Sequence, residues 1–308
     1  MIQQFTNFSD VNLSRSCVTI GAFDGLHLGH RRLLENAYLY SLMWKIPAVV
    51  ITFDPIPSVY FNPEKSQENI MTHEEKASFL DELGFSHLLT LNFDQDLAEK
   101  SADDFMQQVF DSLHPQAFWV GEGFSLGKDC GGTTEYLHEI AVKHQCHLRT
   151  VPRLEIDGEI VSSTHIRTLL KEGSMQEANK LLGYEFGFTS QVIHGDGRGH
   201  ELGFPTVNML IPEEKIIPAY GVYATELEIG GKVYPAVTNV GERPTFKTDH
   251  QVDVESFILK DGRDFYGEKA EMRFVEFLRS ERKFGSIEEL QKAVEKNIIQ
   301  AKNILHVA

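Results

Sequence analysis

Cysteine is scarce in this sequence, and long apolar runs are missing. The 308 residues include three cysteines, Cys17, Cys130 and Cys146. This odd, low number favours free thiols in a reducing compartment over a disulfide framework. No apolar run approaches the roughly 20 residues that a membrane-spanning helix needs, and the first twenty residues are too polar for a secretory leader. We therefore expect a cytoplasmic protein with no membrane partner.

Basic residues are also fewer than acidic ones. Lys and Arg number 29 against 45 Asp and Glu, which gives a formal net charge of -16. Such a surface argues against nucleic acid as a partner, but a local site can still hold the phosphates of a nucleotide on backbone N–H groups and Mg²⁺. The sequence carries no signal for an oligomeric state.

The first half of the chain alternates short apolar runs with stretches rich in helix-forming residues. Strands are predicted at residues 17–23, 48–53, 87–93, 117–120 and 147–151. Helices are predicted at residues 31–44, 72–83 and 101–113, and the last two open with the N-cap residues Thr72 and Ser101. This order predicts an α/β domain with a Rossmann-like parallel sheet, whose ligands bind beyond the carboxyl ends of the strands.

The second half shows a different pattern of predicted elements, with many β-rich runs and one helix near its end. Gly230-Gly231 separates two such runs and predicts a hairpin, and "VDVESFIL" and "AEMRFVEFL" alternate in period two. These runs predict a small antiparallel β-barrel. A terminal helix is expected after Ser286, with Glu289 completing a capping box, and an apolar stripe of Leu290, Val294 and Ile298 is expected to cover the barrel. The domains are predicted as residues 1–184 and 185–308.

The stretch "GAFDGLHLGH", residues 21–30, follows the first predicted strand. Gly21, Gly25 and Gly29 leave room for a phosphate chain against the backbone, and a helix N-terminus nearby supplies unpaired N–H groups. His27 and His30 are three residues apart and project from one helix face, where imidazoles can stabilise charge that develops on phosphate. The alternative is a Gly-rich turn with two solvated histidines.

Two motifs of the first half carry a family resemblance. "GAFDGLHLGH" resembles the HxGH motif of the nucleotidylyltransferase superfamily, and "VSSTHIR", residues 161–167, is similar to the SSTxIR motif of bacterial FMN adenylyltransferases. On its own the second motif is only a helix cap. The resemblance implies catalytic roles for His27, His30 and Arg167. It implies a nucleotide site that includes Gly21, Phe23, Asp24, Gly29, Ser163 and Thr164.

A second group of polar residues lies in the barrel half. Thr206 and Asn208 are two apart, so on a strand they point to one side and offer oxygen ligands for Mg²⁺. Glu255 lies in a period-two strand and can act as a general base on a substrate hydroxyl. The residues alone favour a simpler interpretation of Glu255, an exposed strand carboxylate.

The order of motifs in the second half resembles riboflavin kinases. The matching segments are "GRGHELGFPTVN", "GVYA", "TNVGERPTF", "VESFIL" and "FLRSERKF". Together the two halves resemble the bacterial bifunctional riboflavin kinase/FMN adenylyltransferase family over nearly the whole chain. The resemblance implies that Thr206 and Asn208 bind Mg²⁺, that Glu255 is the catalytic glutamate and that Arg279 lies near the flavin. The implied kinase nucleotide site contains Gly195, Gly197, Arg198, Gly203 and Pro205.

Three positions of the first half depart from the family pattern. Ile56 stands where the family commonly has a histidine, Gly123 where it often has Asn or Asp, and His165 inside the SSTxIR motif. A lost charge-assisted contact costs roughly 1.5–3 kcal/mol, so binding of flavin or nucleotide is expected to be weaker by an order of magnitude or more.

We therefore expect ATP-dependent phosphorylation of riboflavin to FMN, and adenylylation of FMN to FAD with release of pyrophosphate. Riboflavin, FMN and ATP are the expected small-molecule partners, and Mg²⁺ the expected cofactor. One alternative is a riboflavin kinase with a degenerate adenylyltransferase domain, motivated by Ile56 and Gly123. Another is a non-enzymatic flavin- or nucleotide-binding regulator that kept the fold.

Overall fold

The chain folds into two compact units, Met1–Ser163 and Thr164–Ala308. The computed structural model describes residues 1–65, 68–194, 206–242, 252–259 and 265–307. The units divide at the start of a helical stretch that the sequence analysis assigned to the first domain. The domain boundary between residues 184 and 185 stays a prediction.

The first unit is built on a six-stranded sheet in which all pairs of neighbouring strands are parallel. Its strands are β1 (Gln3–Phe5), β2 (Ser16–Ile20), β3 (Ala48–Asp54), β4 (His87–Asn92), β5 (Pro115–Gly121) and β6 (His147–Val151). Their spatial order is β1-β4-β3-β2-β5-β6. The predicted parallel sheet is confirmed, and β1 is an additional edge strand. A small hairpin of β7 (Glu155–Ile156) and β8 (Glu159–Ile160) follows.

Helices cover both faces of this sheet. They are α1 (Leu28–Trp44), α2 (Pro57–Phe61), α3 (His73–Glu82), α4 (Gln95–Ala98), α5 (Ala102–Leu113) and α6 (Thr134–Lys143). Buried apolar residues of α5 and α6 pack with Val18 and Ile20 of β2 on one face. On the other face the Cys17 thiol lies 3.2 Å from the carbonyl oxygen of Ala37 in α1. Since strand side chains alternate between faces, β2 is buried on both.

The strand order creates a switch point between β2 and β5. From β2 the chain builds β3 and β4 on one side, and later β5 and β6 on the other. In doubly wound sheets ligands bind in the crevice at the carboxyl ends of the strands where the order reverses. Residues 21–30 follow β2 directly and therefore begin at this crevice.

The second unit is an antiparallel six-stranded sheet. Its strands are β9 (Gly187–Gln191), β10 (Thr206–Met209), β11 (Gly221–Ile229), β12 (Lys232–Glu242), β13 (Val252–Ile258) and β14 (Lys269–Ser280), in the order β10-β13-β12-β11-β14-β9. Gly230 and Gly231 form the two-residue turn between β11 and β12, with φ of 58° and 76°, so the predicted hairpin is confirmed. A bridge from Ile193 to Asn208 links the two edges of the sheet. The predicted fold class is confirmed for both units.

Helices α7 (Ser163–Glu172), α8 (Met175–Leu182) and α9 (Ile287–Ile304) complete the described chain. The Asn179 amide ties α8 to the sheet, since it donates to Phe274 O and accepts from Phe186 N, both at 2.8 Å. Ser286 caps α9 as predicted. The Glu289 carboxylate accepts from Gly285 N at 3.1 Å, one residue before the position that a capping box requires.

The buried stripe of α9 differs from the predicted one. Ala293, Asn297 and Ala301 are its buried residues, while Leu290, Val294 and Ile298 lie half-buried beside them. Ile298 packs against the buried residues Val222, Ala224 and Val237 of the sheet, so part of the predicted stripe does cover it. The prediction missed Asn297 because it counted only apolar residues. Two alanines let the helix approach the sheet closely. Within the described ranges no helix combines the length and the apolar character that crossing a membrane requires.

Candidate functional site

The glycines of residues 21–30 make room for side chains of their own unit. A Cβ on Gly21 would lie 3.1 Å from the Phe23 ring, and one on Gly29 would lie 3.2 Å from the His27 ring. Gly25 has φ of 77°, and a Cβ there would lie 2.9 Å from the side chain of Ile70. The sequence predicts that these glycines let a phosphate chain approach the backbone closely. That approach stays a prediction, and what the structure shows is that Gly21 and Gly29 leave space for the rings of Phe23 and His27.

His27 is the N-cap of α1. Its Nδ1 accepts a hydrogen bond from the backbone N–H of His30 at 3.3 Å. In the neutral ring the proton therefore sits on Nε2, which leaves Nε2–H as the donor. A histidine cap with this tautomer can present a hydrogen-bond donor to an anion at a helix N-terminus.

His30 stacks on His27 with ring centroids 3.6 Å apart, and the edge of Phe23 packs on it at 5.4 Å. Its Nδ1 is shut off from solvent and has no hydrogen-bond partner among the described residues. Burial lowers the pKa of His30 well below its usual range, and His27 and Lys76 lower it further. His30 is therefore neutral at pH 7.

Asp24 and Ser163 hold the loop in place. The buried Asp24 carboxylate accepts from the backbone N–H of Ile70 at 2.9 Å and of Met71 at 3.3 Å. The Ser163 hydroxyl donates to the Asp24 carbonyl at 2.8 Å. The bond joins Ser163 to the loop after β2 within the first unit. Thr164 and Arg167 follow on α7 within the second unit.

Lys76 is a buried cation that the sequence analysis missed. Its ammonium donates to the Ala22 carbonyl at 2.8 Å and to the Thr52 hydroxyl at 3.3 Å. The side chain is 5% exposed, and burial lowers its pKa, while Asp24 and Asp54 act in the opposite direction. Lysine in an amphipathic helix is normally exposed, so no local pattern indicated this role.

The departures from the family pattern take different forms in the structure. Ile56 is buried and forms the N-cap of α2, so an apolar side chain fills an interior position there. Gly123 lies in the turn that follows β5 and has φ of 76°. A Cβ built on Gly123 would lie 2.9 Å from Nη2 of Arg153.

Aromatic rings gather where β3 and β4 end, close to the carboxyl edge of the sheet. The ring of Phe93 contacts those of Phe53, Tyr60 and Phe61, with centroids 5.3–5.8 Å apart. Phe61 is 64% exposed, which is unusual for a large apolar side chain. The cluster offers an accessible apolar surface for a flat ring. Its members come from separate segments, so no local sequence pattern indicated the cluster.

In the second unit, strand register places Glu255 between two asparagines. Glu255 of β13 pairs with Asn208 of β10 on one side and with Asn239 of β12 on the other. Directly paired residues of antiparallel strands have side chains on the same face, about 5 Å apart at Cβ. The Asn239 amide also donates to Glu281 at 3.3 Å. Glu255 is half-buried in this row.

Asn208 has the features expected of a metal ligand. Its side chain is 4% exposed, and Oδ1 is buried with no hydrogen-bond partner in the described part of the chain. A buried oxygen without a partner costs about 1–3 kcal/mol unless something else contacts it. Thr206, two residues away on β10, shares its face, and both offer oxygen ligands of the kind Mg²⁺ takes. The residues present therefore fit the ion.

Arg279 is held by the terminal helix. Its Nε donates to Oδ1 of the buried Asn297 at 3.0 Å, and Nη1 donates to Ser280 O at 3.1 Å. The guanidinium lies 5.5 Å from the centre of the Phe284 ring. Burial lowers the pKa of Arg279, and nearby Arg282 adds to this. Val222 pairs with both Asn239 and Arg279, so Arg279 belongs to the same row across the sheet as Glu255.

The remaining predicted residues of the kinase nucleotide site lie outside the described residues. They are Gly195, Gly197, Arg198, Gly203 and Pro205.

The fold and these clusters define a class of protein. A Rossmann-like unit with two stacked histidines at a helix N-terminus is joined to an antiparallel sheet with a carboxylate beside oxygen ligands. Both arrangements suit transfer of phosphorus-containing groups from a nucleotide. The class is a two-unit nucleotide-dependent transferase.

Comparisons with known proteins identify the family. The sequence model of FAD synthetase matches residues 9–165, and that of riboflavin kinase matches residues 182–305. The bifunctional riboflavin kinase/FMN adenylyltransferase of Listeria monocytogenes is 33% identical over 94% of this chain and 91% of its own length. The protein of that name in Escherichia coli K12 is 30% identical over 98% and 96%. The chain belongs to the family of bifunctional riboflavin kinase/FMN adenylyltransferases.

A solved structure has the same fold over nearly the whole chain. It is a crystal structure described as a macrolide-efflux protein from Streptococcus pneumoniae, with a TM-score of 0.89 and 28% identity. The similarity covers 98% of this chain and 99% of that one.

Proposed function

We propose that the chain makes FAD from riboflavin in two steps. The second unit transfers the γ-phosphate of ATP to riboflavin and yields FMN. The first unit transfers AMP from a second ATP to FMN and releases pyrophosphate. The family matches in both halves support this assignment, and the stacked, capped pair of His27 and His30 is the observation that carries the second step.

In the kinase step we assign Glu255 as the general base. It accepts the proton of the ribityl 5′-hydroxyl as that oxygen attacks the γ-phosphorus of ATP, and the bond to the β-phosphate oxygen breaks to release ADP. Thr206 and Asn208 would hold Mg²⁺, and the unpartnered Oδ1 of Asn208 supports this role. When bound, the ion neutralises charge on the phosphates. Arg279 contributes a positioned cation for the flavin substrate, and residues 195–205 remain the proposed nucleotide loop.

In the adenylyl transfer an FMN phosphate oxygen attacks the α-phosphorus of ATP, and the bond to pyrophosphate breaks. No covalent intermediate is needed, so the site works by positioning and charge stabilisation. Nε2–H of His27 donates to a phosphate oxygen as charge develops, with His30 as its neutral, stacked neighbour. Ser163, Thr164 and Arg167 complete the proposed phosphate site.

We assign the flavin ring of FMN to the exposed aromatic cluster of the first unit. The cluster of Phe53, Tyr60, Phe61 and Phe93 lies where β3 and β4 end, at the same edge of the sheet as the loop after β2. Stacked or edge-on aromatic contacts contribute about 0.5–1.5 kcal/mol each beyond the area that they bury.

We place both reactions in the cytoplasm, because Cys17, Cys130 and Cys146 are all free thiols. The alternative of a kinase alone is not favoured, since the FAD synthetase model matches the first half and the relatives named above carry both activities in their names.

The test is a product assay on the purified chain. With riboflavin, ATP and Mg²⁺, chromatography should detect FMN first and FAD later. Glu255→Gln should abolish formation of FMN while supplied FMN is still converted to FAD. His27→Ala should abolish conversion of FMN to FAD while riboflavin is still phosphorylated to FMN. A protein that makes no FMN would refute the kinase assignment, and loss of both activities in either variant would contradict two separate sites.

A further inference from the structure

Gly123 leaves a space that the guanidinium of Arg153 occupies. Phe124 N–H donates to Gly121 O at 3.1 Å, which closes a turn with Gly123 at its third position. The φ of 76° at Gly123 is one that Gly and Asn adopt readily. A Cβ at this position would lie 2.9 Å from Nη2 of Arg153, so Arg153 reaches the place where a side chain at 123 would begin.

The backbone around this contact is tied together. Glu122 N–H donates to Val151 O at 2.9 Å, and the Glu122 carboxylate accepts from Arg153 N–H at 3.4 Å. These bonds hold the segment after β6 against the turn after β5. The Arg153 side chain is exposed and makes no hydrogen bond or ion pair with the described residues. Its cation is therefore available to a ligand.

The location is the crevice edge of the sheet. β5 lies next to β2, and the switch point is between them. Arg153 follows β6, and its guanidinium lies at the turn after β5, the strand that neighbours β2. The two strand spacings between β6 and β2 amount to about 10 Å, a distance that a bound nucleotide can span.

We propose that Arg153, whose guanidinium occupies the space beside Gly123, binds a phosphate group of the nucleotide substrates in the adenylyl-transfer site. The inference rests on the proposed function of the first unit. A guanidinium presents a planar fork of N–H donors that matches phosphate oxygens. The phosphate belongs to ATP or to FMN, and the experiment separates these two sources. In this chain a cation from the segment after β6 thus takes the place of a side chain at position 123.

The experiment compares variants at both positions. Arg153→Ala should raise the KM of adenylyl transfer about tenfold or more for either ATP or FMN, whichever substrate supplies the phosphate, with a smaller change in kcat. Arg153→Lys should recover part of the loss. Arg149→Ala removes an exposed arginine from β6 itself and is the matched control. Formation of FMN from riboflavin should stay unchanged in all three.

A second variant tests the space at Gly123 directly. Gly123→Ala should displace the guanidinium and raise the same KM, and combining it with Arg153→Ala should add little, because the two residues act as a pair. Gly158→Ala is the control for backbone strain, since Gly158 has φ of 84° and a Cβ there would meet nothing within 4 Å.

Binding of inorganic pyrophosphate, measured by calorimetry, separates failure of this inference from failure of the proposed function. If the wild-type chain makes no FAD, the proposed reaction of the first unit is wrong, and weaker pyrophosphate binding by Arg153→Ala would still support a phosphate-binding Arg153. Wild-type KM values in Arg153→Ala, or unchanged pyrophosphate affinity where FAD is not made, would overturn the inference.

Discussion

The ammonium of Lys76 donates a hydrogen bond to the carbonyl oxygen of Ala22, with 2.8 Å between Nζ and O. The Thr52 hydroxyl donates to the same oxygen at 3.1 Å. Ala22 is the second residue of the loop that follows β2, so a lysine from α3 and a threonine from β3 fix where this loop leaves the sheet. The positions of His27 and His30, further along the chain, depend on where the loop leaves the sheet.

Lys76→Met should destabilise the first unit and slow adenylyl transfer. Methionine keeps much of the length of the side chain but loses the two hydrogen bonds that the ammonium donates, and it removes a positive charge near the buried Asp24. We expect a loss of about 1–3 kcal/mol in the free energy of unfolding. Tryptophan fluorescence in a urea titration measures this unit alone, because Trp44 and Trp119 are the chain's two tryptophans and both lie in it.

Lys143→Met, at an exposed position of α6, is the control and should leave the urea midpoint unchanged. An unchanged midpoint for Lys76→Met would mean that the cost of burying the ammonium cancels its bonds. The kinase step should keep its wild-type rate.

His30 should contribute to the pH dependence of the free energy of unfolding of the first unit. Burial lowers the pKa of His30 in the folded chain, with His27 and Lys76 adding to the shift, while the unfolded chain titrates near 6.5. Below that pH the unfolded state binds a proton that the folded state does not. The free energy of unfolding therefore falls as pH drops below 6.5, by up to about 1.4 kcal/mol per pH unit for this group.

His30→Asn should reduce that acid slope, read from the urea midpoints of tryptophan fluorescence between pH 7 and 5. Some slope will remain, because burial also lowers the pKa of His87. His138→Asn replaces an exposed histidine of α6 and serves as the control. An identical slope in His30→Asn and the wild-type chain would contradict a neutral His30 in the folded state.

Local signals in the sequence predicted the elements well. The Thr72 capping box forms with both of its bonds, and Ser101 caps α5, because these contacts join residues only three apart. The two-glycine hairpin is equally local. The edge strand β1 was missed because its three residues show no alternation that could be recognised.

Contacts between segments that are distant in the sequence could not be predicted from such local patterns. Burial of Lys76 depends on residues 22 and 52, and the stripe of α9 is centred on Asn297, whose partner Arg279 is 18 positions away. The meeting of Gly123 and Arg153 depends on the pairing of β5 with β6. In the sequence Gly123 appears only as a lost polar group, since nothing local says which side chain fills the space.

Asn208→Ala should lower the affinity of the kinase site for Mg²⁺ without a matching loss of stability. Oδ1 of Asn208 has no hydrogen-bond partner in the described chain, so its removal breaks no internal bond at that oxygen. We expect the Mg²⁺ concentration for half-maximal formation of FMN to rise about tenfold, the effect of losing one charge-assisted contact. Calorimetry should find the thermal midpoint of the second unit unchanged or raised. An unaltered Mg²⁺ titration would refute the ligand role.

Asn297 should control the affinity of the kinase for riboflavin through Arg279. Its buried Oδ1 accepts from Nε of Arg279 at 3.0 Å, so Asn297→Leu removes the acceptor that orients the guanidinium. We expect the KM for riboflavin to rise about tenfold with a smaller change in kcat, and adenylylation of supplied FMN to stay unchanged.

Asn297→Asp keeps an acceptor at the same place and should restore most of the affinity, which a purely structural defect of the helix would not allow. Asn303→Leu is the matched control, since it replaces an exposed asparagine of the same helix. If Asn297→Leu and Asn303→Leu had equal KM values for riboflavin, the terminal helix would have no part in positioning Arg279. A fall in kcat with an unchanged KM would place Arg279 in the phosphoryl transfer itself rather than in flavin binding.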